Sequence, residues 1–279
     1  MICLGLTVVD AEESEMSLRF PSLAIFATTK TPYAGRSIPQ EVHPMRQFSL
    51  LLCFLMFAIG QAMAADNWSQ QVELPAGETP IKLFDGNTLA GWQGLTDEYW
   101  SVADGVILGK NDQAVPASTY LLTEKSYRNF RLLMEVKQTM GKNYSTMHSA
   151  VCCLGEVIED KGQKYGFRGP LLMFCHDWGI WDAHRRNRIY PAGHQGNYRP
   201  ALEKKGEWNQ IEILVIGDRI RMVGNGELVI DMTDKPEMLK ASPIGLQLHG
   251  NGRPQEYRFR GLVLVENPKD QLVTLKSPN

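Results

Sequence analysis

Asn225-Gly226 divides the run from Arg219 to Met232 into two β-rich halves. Such a pair is the strongest short-range hairpin signal, because both central residues of the tight turn need positive φ. Asp104-Gly105 repeats the device between Tyr99–Val102 and Val106–Leu108. Phe130–Val136 (FRLLMEV), Ile211–Ile216 (IEILVI), Ile244–Leu248 and Glu256–Val265 add further strands. There is no internal repeat, no low-complexity tract and no convincing helical period. The one helix expected is short, around Lys235–Lys240. Many short strands separated by turns predict an all-β sandwich or jelly roll of two antiparallel sheets.

The first 64 residues are expected to lie outside that domain. Met45, Arg46 and Gln47 make a basic start, Phe48–Ile59 is an apolar run too short to span a bilayer, and Ala62-Met63-Ala64 has the small-x-small form of a signal-peptidase site. Residues 45–64 are read as a secretory leader, with Met45 the true initiator and residues 1–44 an extension. The rival is a membrane anchor with a cytoplasmic tail, which the short apolar run disfavours. Residues 65–279 then form a single exported domain with a core at about 81–265, periplasmic or extracellular, with no membrane insertion after leader cleavage.

A net charge of −2 over the whole chain implies neither a nucleic-acid partner nor an anionic membrane. Cys152, Cys153 and Cys175 remain after the leader, an odd count that allows at most one bridge and excludes a disulfide scaffold. Adjacent strand residues face opposite ways, so only one of Cys152 and Cys153 could meet Cys175. The favoured reading is three small buried hydrophobes. No phosphate loop, G-x-S-x-G elbow, H-E-x-x-H or CxxC pair is present.

Function is sought in Phe174–Tyr198, an apparently irregular stretch dense in Trp, His, Asp and Arg. His176, Asp177, Asp182 and His184 offer acid-base groups or metal ligands, although their spacing indicates no zinc site. No cofactor is expected and a divalent metal is left open. Trp178 and Trp181 either present rings to a sugar or plug one end of the sandwich. Arg185, Arg186 and Arg188 are a solvated basic face or an anion contact, and His194, Gln195, Asn197 and Tyr198 suit a hydroxyl-rich ligand.

His249 sits at a strand end, and Gln247, two residues before it, faces the same side. Arg258 and Arg260 share a face of the next strand. If that face is also the one of Gln247 and His249, the result is a concave polar sheet. Glu135, between Met134 and Val136, needs a partner or a function.

LFDGNTLAGW, WSVADGVILG, YRNFRLLMEVK, GEWNQIEI, the NGELV hairpin, GLQLHG and YRFRGL together resemble the 3-keto-disaccharide hydrolase domain family over about Ile81–Val265. The resemblance implies a concanavalin A-like jelly-roll sandwich, export from a bacterium, and cleavage of 3-keto-glycosides by elimination across C1 and C2 followed by hydration. It carries site roles onto His249, Gln247, Arg260 and Glu135. Where the family has N-S-G the chain reads His148-Ser149-Ala150, where it has a G-x-E-x-Q strand the chain reads Gly169-Pro170-Leu171-Leu172-Met173, and its terminal-strand asparagine is Gly261.

Two functions follow from this reading. In the first, an exported enzyme cleaves 3-keto-glycosides, with His249 or His184 as base, Glu135 or Asp182 as acid, and Arg260 with Gln247 holding the ketone; a separate oxidoreductase would supply its substrate. In the second, a non-catalytic carbohydrate-binding module uses Trp178, Trp181, Tyr190 and Tyr198 as platforms, with Arg188, His194 and Arg258 as further contacts. A weaker third reading is a ligand-free envelope domain. Burial of the tryptophan rings in the core would remove the platform of the second. Carbohydrate is the expected partner; the oligomeric state is not specified.

Overall fold

The computed structural model describes residues 67–139, 147–174, 179–190 and 202–276. Two antiparallel sheets face each other. The first runs β14 (Glu227–Thr233), β13 (Arg219–Gly224), β12 (Asn209–Ile216), β6 (Phe130–Gln138), β16 (Gln255–Glu266), β4 (Val106–Asn111) and β3 (Trp100–Ala103), with β1 (Ile81–Lys82) also on β16. The second runs β11 (Asn187–Tyr190), β10 (Ile180–Ala183), β9 (Gln163–Met173), β7 (Ala150–Cys152), β15 (Ser242–Leu248), β5 (Thr119–Tyr127) and β2 (Trp92–Gln93), with β8 (Glu156–Asp160) on β9. This is the two-sheet sandwich that the strand pattern predicts, with the concanavalin A-like architecture that the resemblance implies.

Strand alternation builds the core. Leu132, Met134 and Val136 of β6 and Ile211, Ile213 and Val215 of β12 point inward against Leu121, Leu172, Leu246 and Leu248 of the facing sheet. Each such side chain contributes about 1.5–3 kcal/mol by leaving water. The two tight turns form as their sequences require, with Asn225 and Gly226 at φ 52° and 90° and Asp104 and Gly105 at 53° and 74°. The helix expected near Lys235 is one 3₁₀ turn, Pro236–Met238.

The outer face of the first sheet is closed by chain ends. Fully buried Arg131 of β6 is bound by Glu78 and by Glu212 of β12. The Glu212 carboxylate also accepts the backbone N–H groups of Val273 and Thr274. A short helix, α1 (Trp68–Gln71), packs beside β16 and β6, where the Trp68 N–H meets Glu135 at 3.3 Å.

The second sheet is roofed differently. The first part of β9 pairs with β8 and the last part with β7 and β10. At the junction Gly155 and Gly169 pass in contact: a Cβ on Gly155 would lie 2.2 Å from the Arg168 carbonyl, and one on Gly169 would lie 2.8 Å from the Gly155 Cα. The β8–β9 hairpin thereby folds back over the sheet. The Phe167 ring lies 5.9 Å from that of Tyr120, and near the tip Gln163 Oε1 accepts the Ala117 N–H at 3.3 Å.

Two local expectations are corrected here. Part of the supposedly irregular stretch is a hairpin, β10 to β11, because Ile180 and Asp182 alternate inward with Trp181 and Ala183 on the other face. Arg258 and Arg260 do not share a face with Gln247 and His249, since β16 and the end of β15 lie in opposite sheets. Cys152 and Cys153 are buried free thiols, and burial pushes the Cys153 thiol up to about 12. Cys175, His176, Asp177, Trp178, His194, Gln195, Asn197 and Tyr198 lie outside the described residues. No helix among the described residues is long and apolar enough to cross a membrane.

Candidate functional site

Between the second sheet and its hairpin roof lies a cleft of about 340 Å³. Its two walls differ in chemistry because they come from different strands. Tyr120 of β5, Gln247 of β15 and the strand-end residues Ser118, His148 and His249 form a polar wall, while Leu171 and Met173 of β9 with Trp181 and Ala183 of β10 form an apolar one. Asp160 and Lys161 descend from the roof, and His184 closes the β10 side.

The polar wall is organised around Ser118. Its Oγ accepts the Gly250 N–H at 3.0 Å and the Gln247 Nε2–H at 3.4 Å, so its own proton is directed to His249 Nδ1 at 3.5 Å. This arrangement favours the Nε2–H tautomer of His249, with Nδ1 accepting from Ser118. Gly250 permits this approach, since a Cβ there would stand 2.6 Å from the Ser118 nitrogen. Gln247 also donates to Tyr120 Oη at 3.2 Å, and its buried Oε1 has no partner among the described residues.

The His148 ring lies 4.2 Å from that of His249. Burial, followed by the charge of His148, lowers the His249 pKa to about 4, and burial alone lowers that of His148. Both rings are neutral at physiological pH. Between 6.5 and about 4 the unfolded chain binds a proton that the folded His249 ring refuses, so stability falls as the pH drops through that window and levels off below it. Acidification to about pH 4.5 should cost on the order of 2 kcal/mol and several degrees of Tm, and His249→Gln should flatten the slope. An unchanged slope in the variant, read by thermal melts, would assign the acid lability to other groups.

The predicted site residues separate into three groups. His249, Gln247, His184 and Trp181 meet in the cleft, where His184 Nε2 lies 3.6 Å from Asp160 Oδ2. Trp181 is half-buried on the outer face of its sheet and lines the cleft. Glu135 and Arg260 lie on the first sheet, joined by two hydrogen bonds of 3.1 and 3.0 Å, with the guanidinium 4.1 Å above the Trp208 ring. Arg258 pairs with Glu256 at 2.9 Å on that same sheet. Neither arginine lines the cleft, and Glu135 and Arg260 form an ion pair on the opposite sheet.

Asp182 does not line the cleft either. It is fully buried on the inner side of β10, clamped by Arg185 at 2.6 Å and by Arg186, which also binds Asp234 at 2.7 Å. Its carboxylate fixes the turn that holds His184 at φ 63°. Arg188 and Tyr190 sit on β11 at the sheet edge and do not line the cleft. Ser118, Tyr120, His148 and Asp160 were not singled out by the sequence as site residues. The only signal for any of them was His148-Ser149-Ala150 in place of N-S-G. Leu171 and Met173, where the resembling pattern has Glu and Gln, do face the cleft. Among the described residues no group of three or more His, Cys, Asp or Glu is placed to hold a metal ion.

A model of the 3-keto-alpha-glucoside-1,2-lyase-like domain matches residues 79–264. The chain belongs to that family. Its matched region spans both walls of the cleft and the roof between them. Among solved structures, this lyase-like domain is similar to a candidate glycosyl hydrolase from Parabacteroides distasonis ATCC 8503, with 23% identity and a TM-score of 0.44 over 67% of this chain and 98% of that one. It is also similar to the carbohydrate-binding module CBM66 from Bacillus subtilis, with 14% identity and a TM-score of 0.41 over 63% and 96%. A third is the kappa-carrageenase from Pseudoalteromonas carrageenovora, with 12% identity and a TM-score of 0.41 over 68% and 96%. No curated protein matches the chain.

Proposed function

We propose that this protein cleaves 3-keto-glycosides in the roofed cleft. The observation that carries the reading is the neutral His148–His249 pair beside the buried Gln247 oxygen, which has no partner among the described residues. A ketone at C3 acidifies the C2 proton, so cleavage needs an unprotonated base near C2 and a donor for the enolate oxygen. Neutral His148 removes the proton. His249, favoured as the Nε2–H tautomer by Ser118, donates to the developing oxyanion, and a ring whose pKa is about 4 stays neutral while doing so. As the enolate collapses, C1=C2 forms and the C1–O bond breaks, and the departing oxygen takes a proton from His184 at the mouth. Water then adds across C1=C2 to release the 3-keto-sugar, and no oxidant is consumed. Gln247 Oε1 accepts a sugar hydroxyl.

The test is incubation of the purified protein with 3-keto-trehalose and 3-keto-glucosides, with and without added divalent metal. Release of free sugar is the expected result, whereas saturable binding of unoxidised glycans without turnover would favour the binding module. The leader-like residues 45–64 support export to the periplasm or beyond. Amino-terminal sequencing of the secreted protein should read from Ala65, and an intact leader would refute it.

A further inference from the structure

The tip of the hairpin roof is held at a fixed aim. Lys161 and Gly162, at φ 52° and 78°, form a two-residue turn between β8 and β9, which makes Asp160 and Gln163 direct cross-strand partners. Between Ile158 and Asp160 the register shifts, an irregularity of the kind that re-aims a side chain. Gln163 Oε1 accepts the Ala117 N–H at 3.3 Å, and Lys161 Nζ donates to the Pro116 carbonyl at 3.3 Å. The tip is thus anchored to the segment that presents Ser118, the residue beside His249.

Asp160 reaches the other catalytic end. Its Oδ2 lies 3.6 Å from Nε2 of His184, and both side chains line the cleft. His184 comes from the turn after β10, where it is held at φ 63° beside the cluster of Asp182, Arg185 and Arg186. The contact therefore joins two elements that pair with different parts of β9. With side chains 39% and 22% exposed, such a pair contributes little to stability, so stability does not account for its placement. A separation of 3.6 Å lies just beyond a hydrogen bond, and the bonds of catalytic groups commonly tighten once substrate fills the site.

We infer that Asp160 is a positioning residue for His184, the acid that protonates the departing oxygen. This rests on the cleavage reading above. With Nε2 engaged by the carboxylate, the ring presents its Nδ1–H to the leaving group, and the carboxylate faces the imidazolium charge until the proton is transferred. As the C1–O bond breaks, its electron pair stays on the departing oxygen and the proton passes to that oxygen from His184. The neutral imidazole then recovers a proton from water at the mouth. Asp160 itself neither gains nor loses one.

Methyl and nitrophenyl 3-keto-glucosides separate this role from a structural one, because an alkoxide leaving group needs a proton and a nitrophenolate does not. Asp160→Asn should lower kcat for the methyl glycoside about tenfold or more, part of the roughly 10²–10⁴-fold that a general acid supplies, and lower that for the nitrophenyl glycoside far less. In heavy water the variant should return methyl glycoside carrying deuterium at C2, because His148 still forms the enolate while its collapse is slowed. Asp160→Glu, which keeps the carboxylate, should recover most of the loss, and both variants should melt with the parent. Equal losses on the two glycosides, or a methyl glycoside cleaved at the parental rate, would overturn the role of Asp160 alone. Failure of the parent protein to cleave any 3-keto-glycoside would instead overturn the cleavage reading on which it rests.

Discussion

His249→Ala is expected to lower kcat/KM for 3-keto-glucosides about 10²–10³-fold, the loss typical of one oxyanion donor. His249→Gln, which restores an N–H donor near the same place, should lose only roughly tenfold. The contrast follows from Ser118. Its oxygen already accepts N–H groups from Gly250 and Gln247, which favours its proton going to Nδ1 of His249 and the imidazole proton sitting on Nε2. A ring in that state donates to an oxygen and cannot take a proton through Nε2. The base is then His148, and His148→Ala should cost about 10²–10⁴-fold with no rescue by glutamine. If His249→Gln proved as inactive as His249→Ala while His148→Ala remained active, the two roles would be exchanged. The pH profile gives an independent reading. Both imidazoles have lowered pKa values, so the acid-side fall in kcat/KM, as His148 takes up a proton, should lie below the ordinary imidazole range.

The contrast between these residues and the ones visible in sequence has a physical origin. Strands, turns and the inward sets of β6 and β12 follow from local alternation and from Asn-Gly and Asp-Gly, which act over a few residues. Gln247 and His249 share a face for the same local reason. What alternation cannot supply is which sheet a strand joins. Arg260 lies only 11 positions after His249, yet β15 and β16 belong to opposite sheets, so the proposed union of their polar faces does not occur. Asp182 in a polar segment suggests chemistry in sequence, and only the structure shows its neighbours Arg185 and Arg186 turning back to pair with it. Tyr120 and Ser118 reach the cleft through pairing between β5 and β15, whose partners lie more than a hundred residues apart. The roof is the hardest part to read, because it depends on Gly155 meeting Gly169 across a bend.

Arg260→Ala should destabilise the fold by about 3 kcal/mol and leave kcat/KM within roughly twofold of the parent. Glu135 is 4% exposed at its side chain, while Arg260 is 30% exposed and lies over Trp208. Removing the guanidinium strands a buried carboxylate whose remaining contact is the Trp68 N–H at 3.3 Å, and it also removes a cation–π contact worth about 0.5–1 kcal/mol. A Tm lower by about 6–12 °C is expected for a domain of this size. The double variant Glu135→Leu with Arg260→Leu should be more stable than Arg260→Ala, because no charge is then left buried without its partner. An ion pair that served catalysis would behave in the opposite way, with turnover collapsing in both variants while the melting temperature of the double variant recovered. That result would move the active site to the first sheet. The geometry opposes it: the Glu135 carboxylate is covered by Arg260 and by the Trp68 backbone, whereas the neutral imidazoles line an open cleft on the other sheet.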